Sequence, residues 1–111
     1  MHRLIFVSAV LAVLSGSLAP SAWAAPSLEQ VLVEGASTPQ QHAALATYYE
    51  EKAAAARKDA ESHRAMSKSY TGVKMSQAAT MKDHCDKLAA YADDQAKEYD
   101  ALASAHRSMA K

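Results

Sequence analysis

The sequence predicts an all-α protein: an antiparallel helical hairpin of two long helices related by an internal repeat, dimerising into a four-helix bundle. The first observation is the repeat, since His42–Met66 aligns without gaps on Cys85–Met109 at a shift of 43 residues. Both segments are rich in Ala, Glu, Lys and Arg, contain neither Pro nor Gly, and therefore have high helix propensity. A Gly-containing turn separates them. A repeat of this length marks a repeated supersecondary unit, here one long helix used twice.

Residues 1–24 have the pattern of a secretory signal peptide. A basic start is followed by the apolar run LIFVSAVLAVL and by Ala22-Trp23-Ala24, an A-x-A cleavage site. The apolar run is too short to span a bilayer comfortably. We therefore expect cleavage after Ala24, a periplasmic mature protein, and no membrane span once the signal is removed.

Charge and cysteine content limit the classes of function. The chain has 12 Lys and Arg against 12 Asp and Glu, well mixed, which indicates no nucleic-acid-binding surface. Cys85 is the only cysteine, so an intramolecular disulfide is excluded. The sequence has no Gly-rich phosphate loop, no G-x-S-x-G and no H-E-x-x-H motif, and we expect no enzymatic activity.

Residues 25–37 are predicted to be a flexible N-terminal arm with at most one short turn of helix. The hairpin domain, residues 38–111, then begins with a strong helix start. Thr38 can cap the helix, Pro39 suits its first position, and Gln41 completes a capping box. We expect a helix over about 39–70.

Thr71-Gly72 predicts the end of the first helix, because Gly tolerates a left-handed C-cap. A loop over about 71–77 then leads to a second helix over about 78–108. So short a connection makes the two helices antiparallel.

Each helix has one apolar stripe at the 3.6-residue period. In the first helix the stripe consists of His42, Leu45, Ala46, Tyr49, Ala53, Ala56, Ala60, His63 and Met66, and in the second of Met81, Cys85, Leu88, Ala92, Ala96, Tyr99, Ala103, His106 and Met109. A two-helix rod has a thin core, so we expect a homodimer that covers the stripe.

The repeat also predicts the register of the pair. Repeat-matched residues lie at equivalent places in an antiparallel hairpin, and the chain should reverse around Lys74. In that register His42 faces His106, and Tyr49 faces Tyr99.

The same register collects metal-capable side chains at the two ends of the hairpin. One predicted site, at the open end, consists of His42, His106 and Met109, and the other, at the loop end, of His63, Met66 and Cys85. Imidazole, thiolate and thioether together suit copper, and imidazole with thiolate suits zinc. The His-x-x-Met spacing in both repeats puts two donors on one face of a helix. The sequence therefore favours a transition-metal protein, copper before zinc, acting in buffering, sensing or delivery.

Two alternatives stay open. Histidine and methionine at helical spacing are often ordinary core residues, in which case the protein is a cofactor-free interaction or chaperone-like module with an envelope protein partner. His/Met ligation of b-type haem in a dimer is chemically sound, but the chain has no C-x-x-C-H attachment motif and its alanine-rich seam is narrow.

Overall fold

The computed structural model describes residues 25–111, and the predicted signal peptide lies outside the described residues. Three helices follow one another in this part of the chain: α1 (Leu28–Gly35), α2 (Pro39–Ser69) and α3 (Ala78–Met109). No strand is found in residues 25–111. The two long helices pack antiparallel along their length, so the predicted all-α hairpin is confirmed. None of the helices within residues 25–111 combines the length and the apolar character that a membrane span requires.

The start of α2 is fixed by the predicted capping box. The hydroxyl of Thr38 accepts from the backbone N–H of Gln41 at 3.2 Å, and the Gln41 side chain accepts from the backbone N–H of Thr38 at 3.0 Å. Both donors would otherwise have no intrahelical acceptor. Pro39 occupies the first turn, where its missing N–H costs nothing.

The chain reverses where the glycine signal predicts. The helix α2 ends at Ser69. Gly72 follows with a positive φ of 76°, a backbone conformation that residues with a Cβ atom rarely adopt. The helix α3 begins at Ala78 after Gln77, whose side chain makes no capping hydrogen bond. The hairpin turn is thus held by the glycine conformation and by backbone hydrogen bonds at the end of α2, such as Thr71 N–H to the Lys68 carbonyl at 3.1 Å.

The N-terminal arm contains more helix than the single turn expected. The Ser27 hydroxyl caps α1 by accepting from the Gln30 backbone N–H at 3.1 Å. The carboxylate of Glu29 then accepts from the hydroxyls of Tyr48 and Tyr49 in α2, at 3.4 and 2.9 Å. These tertiary contacts stabilise an eight-residue helix that would be marginal alone.

The buried seam of the hairpin follows a heptad pattern and consists mainly of alanine. Buried or half-buried residues recur at alternating steps of three and four, and Ala is the commonest among them. This spacing is typical of a left-handed coiled coil, and small side chains let the two backbones approach closely. The seam positions are His42, Ala46, Tyr49, Ala53, Ala56, Ala60, His63 and Ser67 in α2, and Cys85, Ala89, Ala92, Ala96, Tyr99, Ala103 and His106 in α3.

The predicted stripe is wrong at four methionine and leucine positions, because these residues lie outside the heptad seam. Met66, Met81, Leu88 and Met109 are each more than 40% exposed, whereas Ser67 and Ala89 are buried. A 3.6-residue period drifts away from a 3.5-residue seam over several turns, so the stripe estimated at 100° per residue leaves the contact line toward the helix ends.

Three ion pairs join the helices along one flank of the seam. Their members occupy the heptad positions next to the seam on that side, and all of them are at least one-third exposed. The pairs are Arg57–Asp100, Arg64–Asp93 and Arg107–Glu50. The last two are the same contact in the two repeats, since Arg64 matches Arg107 and Glu50 matches Asp93 at the 43-residue shift.

Candidate functional site

The open end of the hairpin holds a pair of histidines, one from each long helix. The Nδ1 atoms of His42 and His106 lie 3.1 Å apart, and the two rings are inclined by only 24°. The two nitrogens are within hydrogen-bonding distance, and the tautomers of the two rings decide which of them donates. The predicted register, which places His42 opposite His106, is confirmed.

A column of aromatic rings continues from this pair into the seam. The ring of Tyr49 is stacked against His106, with centroids 5.6 Å apart and an angle of 12°. Tyr49 in turn lies beside Tyr99 at 6.1 Å, as the register predicts. Because Tyr49 is almost fully buried, its ring restricts the orientation of the His106 imidazole from the side that faces the seam.

The hydroxyl end of Tyr49 is fixed by α1. Burial raises the pKa of Tyr49 to about 12, and the hydrogen bond to the Glu29 carboxylate acts in the same direction. The phenol therefore stays protonated and donates to Glu29 at 2.9 Å. Glu29, Tyr49, His106 and His42 thus form a continuous path of contacts from the N-terminal arm to the histidine pair.

The surroundings of His106 favour its neutral form. Burial lowers the pKa of His106, and the neighbouring His42 lowers it further. A neutral imidazole retains a lone pair, which is the form that coordinates a metal ion. Two such nitrogens at 3.1 Å are close to the separation of roughly 3.3 Å that tetrahedral geometry with 2.0–2.1 Å bonds gives.

Met109 lies one helical turn beyond His106 and is 49% exposed. Its thioether takes no part in the contacts that hold the pair. Within residues 25–111 no group of three or more His, Cys, Asp or Glu side chains is arranged to hold a metal ion. The open end accordingly offers two nitrogen donors in place, with a sulfur donor nearby on the same helix.

At the loop end the predicted ligands are less closely gathered. His63 lies in the seam with its Nε2 3.6 Å from an Asp59 carboxylate oxygen, and its buried Nδ1 has no hydrogen-bond partner. Cys85 is a half-buried free thiol, and Met66 points to the exposed side of α2. The structure thus brings His42 and His106 into contact, whereas no hydrogen bond joins the buried Nδ1 of His63 to Cys85.

The polar group nearest the loop end is instead built from Ser67 and Asp86. The buried Ser67 hydroxyl donates to the Asp86 carboxylate, which also accepts from Lys82 at 2.7 Å. These two hydrogen bonds lower the pKa of Asp86, the one from Lys82 contributing more. The group ties α2 to α3 close to the turn, and sequence reasoning gave no signal for it because Ser67 falls outside the predicted stripe.

A second concave region lies between α1 and α2. A cavity of about 300 Å³ separates the apolar side of α1 from the first two turns of α2. Its lining is mainly aliphatic: Val31, Leu32, Gly35, Ala36, Gln41, Ala44, Leu45 and Tyr48. The sequence did not predict this cavity, because its walls depend on the docking of α1 through Glu29.

Comparisons with known proteins give no relative from which a role could be transferred. No protein-family model, no curated protein and no solved structure matches this chain. The function must therefore be inferred from the site itself.

Proposed function

We propose that the protein is a small exported, periplasmic metal-binding protein that holds a transition-metal ion at the open end of its hairpin, copper before zinc. The observation that supports this proposal is the 3.1 Å separation of the His42 and His106 Nδ1 atoms across the two helices. Met109 would add a thioether, which together with imidazole suits Cu(I). Buffering, sensing or delivery of the metal is the corresponding role.

The support for the site comes from its preorganisation. His106 is buried and stacked on Tyr49, so little side-chain freedom is lost on coordination. Burial, and then the neighbouring His42, lower the pKa of His106, which favours the neutral form that coordinates a metal ion. A ligand pair donated by facing helices is also the usual way in which helical bundles form metal sites.

The loop-end set of His63, Met66 and Cys85 is proposed as a weaker second site. It needs a rotation of Met66 from its exposed position, and it would use the half-buried Cys85 thiol and the buried His63 Nδ1, which has no hydrogen-bond partner. Haem is disfavoured within one hairpin, because two histidine nitrogens 3.1 Å apart leave no room for an iron with an axial ligand on each side.

A titration of the mature protein, residues 25–111, with Cu(I) under reducing conditions tests the proposal. We expect saturable binding that raises the thermal unfolding temperature, because an ion held only by the folded state stabilises it. Replacing His42→Ala should reduce the affinity at least tenfold, since the change removes one of two ligands already in place. His84→Ala is the matched control, because His84 is an exposed histidine of α3.

Two outcomes would count against the site. Equal Cu(I) affinity in the wild type, the His42→Ala variant and the His84→Ala control would move any metal away from the open end. Failure of copper and zinc to bind the reduced protein at all would overturn the metal proposal and leave the histidine pair as a polar layer of the core.

The second candidate function, a cofactor-free envelope interaction module, is favoured by α1. Leu28, Val31, Leu32 and Val33 are between 37% and 75% exposed on an eight-residue helix that borders the 300 Å³ cavity. An exposed apolar helix held by a few hydrogen bonds is suited to binding another protein. If the protein is an interaction module, deletion of residues 25–37 should abolish binding of its protein partner. Cu(I) binding by the histidine pair should still be measurable in the deletion variant.

We also infer that the hairpin works as a homodimer, which would close a four-helix bundle. The seam predicted to form the dimer contact is already occupied by α2 and α3 within one chain. A dimer must therefore use a different face of the hairpin.

A further inference from the structure

We propose that a second copy of this chain docks, antiparallel, on the flank of the hairpin opposite the three ion pairs, with its twofold axis at Gln95. This inference rests on the homodimer proposed above and identifies its face. In each helix one heptad position borders the seam on the ion-pair side, and another borders it on the opposite side. We call that opposite side the unpaired flank; on α3 it consists of Met81, Leu88, Gln95, Leu102 and Met109.

The unpaired flank of α3 is apolar and open. Its four large side chains are between 41% and 49% exposed, and they recur at the seven-residue spacing of a coiled-coil contact. Tyr91, on the adjoining helical position, is 67% exposed. Shallow cavities of about 370 and 240 Å³ follow the groove between this flank and α2. An apolar stripe of this kind, interrupted only by Gln95, marks a contact surface on a small protein.

The order of residues along the flank indicates which partner fits. The sequence of side chains Met81, Leu88, Gln95, Leu102, Met109 is the same in both directions, with Gln95 at the centre. An antiparallel second copy therefore places Met81 against Met109 and Leu88 against Leu102, each contact formed twice. Such self-complementarity is the requirement of an isologous twofold interface. At the axis the two Gln95 amides can hydrogen bond to each other, which fixes the register.

The unpaired flank of α2 carries charges that fit the same axis. Lys52 and Asp59 lie one heptad apart, on either side of Ala55 and Ala56. All four line one cavity together with Gln95, so the midpoint between the two charges is level with the proposed axis. A twofold at this level brings Lys52 of each copy toward Asp59 of the other. Within one chain Lys52 lies over the Tyr48 ring and Asp59 lies 3.6 Å from His63.

Burial supplies the reason for association. The buried apolar residues of the single hairpin are alanines apart from Leu45 and Tyr49, and none of its large side chains is less than 2% exposed. Alanine contributes little apolar area compared with leucine or methionine. Covering the exposed leucines and methionines of α3 would therefore enlarge the core substantially, and the three ion pairs already cover the opposite flank.

Cysteine cross-linking tests the axis directly. In the mature protein carrying Cys85→Ser, the substitution Gln95→Cys should give a disulfide-linked dimer on mild oxidation, because the two thiols meet at the twofold. Ala90→Cys is the matched control, since Ala90 is exposed on the far side of α3 and should stay monomeric on denaturing gels. Efficient linking at both positions, or at neither, would overturn the proposed axis.

A charge exchange gives a second, independent test by sedimentation. Lys52→Glu and Asp59→Lys should each raise the dimer Kd by about tenfold, because each places like charges together across the axis. The double variant should return the Kd to near that of the wild type. If neither single reversal changes the dimer Kd, the homodimer stands but this face is refuted. If the wild type is a monomer at micromolar concentration, the homodimer and this face are both refuted. Cu(I) binding by His42 and His106 is measured separately, because these two histidines lie in the seam and only the thioether of Met109 belongs to the proposed face.

Discussion

The ring of Tyr49 lies nearly parallel to that of His106 at an angle of 12°, while its hydroxyl donates to Glu29 of the N-terminal helix. One side chain thus contacts the histidine pair with its ring and the arm with its oxygen. Because Tyr49 is 3% exposed and belongs to the seam, both contacts are held in a fixed geometry. The arm and the open end of the hairpin are therefore physically connected.

The substitution Tyr49→Phe separates these two contacts. It keeps the ring on His106 and removes the hydrogen bond to Glu29, which is worth about 1.5–3 kcal/mol for a charged acceptor. We expect faster amide hydrogen exchange throughout α1 and unchanged exchange in the seam of α2 and α3. Tyr91→Phe is the control, since Tyr91 is mostly exposed. Full protection of α1 in the Tyr49→Phe protein would show that the arm is held by its apolar residues instead.

The histidine pair should make stability depend on pH. Burial, and then the neighbouring His42, lower the pKa of His106 in the folded protein, so the unfolded chain binds that proton more tightly. The contribution of neutral His106 to the free energy of unfolding is fully present above its pKa in the unfolded chain, about 6.5. It is lost as the pH falls through the lower pKa of the folded protein. Urea unfolding between about pH 8 and about pH 5 should show this decrease.

A variant separates His106 from the other groups that titrate in that range. His106→Phe retains a flat ring on Tyr49 but cannot be protonated, so the decrease in stability should become smaller. His84→Ala should leave it unchanged, because His84 is exposed. Identical pH profiles for the wild type and His106→Phe would mean that His106 does not control the acid sensitivity.

The alanine seam should be intolerant of larger side chains. Ala53 and Ala60 are fully buried between the helices, so Ala60→Leu forces the backbones apart and should cost about 1–3 kcal/mol of unfolding free energy. The same change at the exposed Ala54 should have little effect. Urea unfolding followed by circular dichroism gives the comparison. Equal stability of the two variants would argue against close packing of α2 on α3.

The repeat predicts equal contributions from two ion pairs. Arg64→Ala and Arg107→Ala remove the same contact in the two repeats, with Asp93 and Glu50 as the respective partners. Both pairs are partly exposed, so each change should cost less than about 1 kcal/mol, and high salt should reduce the cost. Double-mutant cycles with the acidic partners measure the two coupling energies. Coupling energies that differ several-fold would show that the two halves are not equivalent in packing.

The sequence predicted the hairpin and its register well because both depend on local signals and on the repeat. The capping box at Thr38 and the turn at Gly72 are encoded by a few adjacent residues, and the repeat together with the position of the turn places His42 opposite His106. The helix α1 was underestimated, since its stability comes from tertiary hydrogen bonds between Glu29 and the tyrosines of α2.

The site residues were predicted less completely, for a geometric reason. Over the length of a 31-residue helix, the small difference between a 3.6-residue and a 3.5-residue period is enough to place Met66 on the wrong side of the contact line. No periodicity shows that the ring orienting His106 is Tyr49, because that contact depends on how the two helices are offset.

The ion pair between Arg57 and Asp100 joins two residues that occupy the same position in the two copies of the repeat. It therefore lies where the internal twofold crosses the hairpin, and the pairs Arg64–Asp93 and Arg107–Glu50 are counterparts on its two sides. A single helix with the repeat sequence would carry both halves of the interface and would meet a second copy of itself through them. In this chain the loop after Ser69 links the two helices, so that they meet within one molecule instead of between two. The short linker gives this contact a high effective concentration. The hairpin is in this sense a tethered homodimer of one helix, whose two halves have since become free to differ, with a histidine at position 42 and a cysteine at position 85.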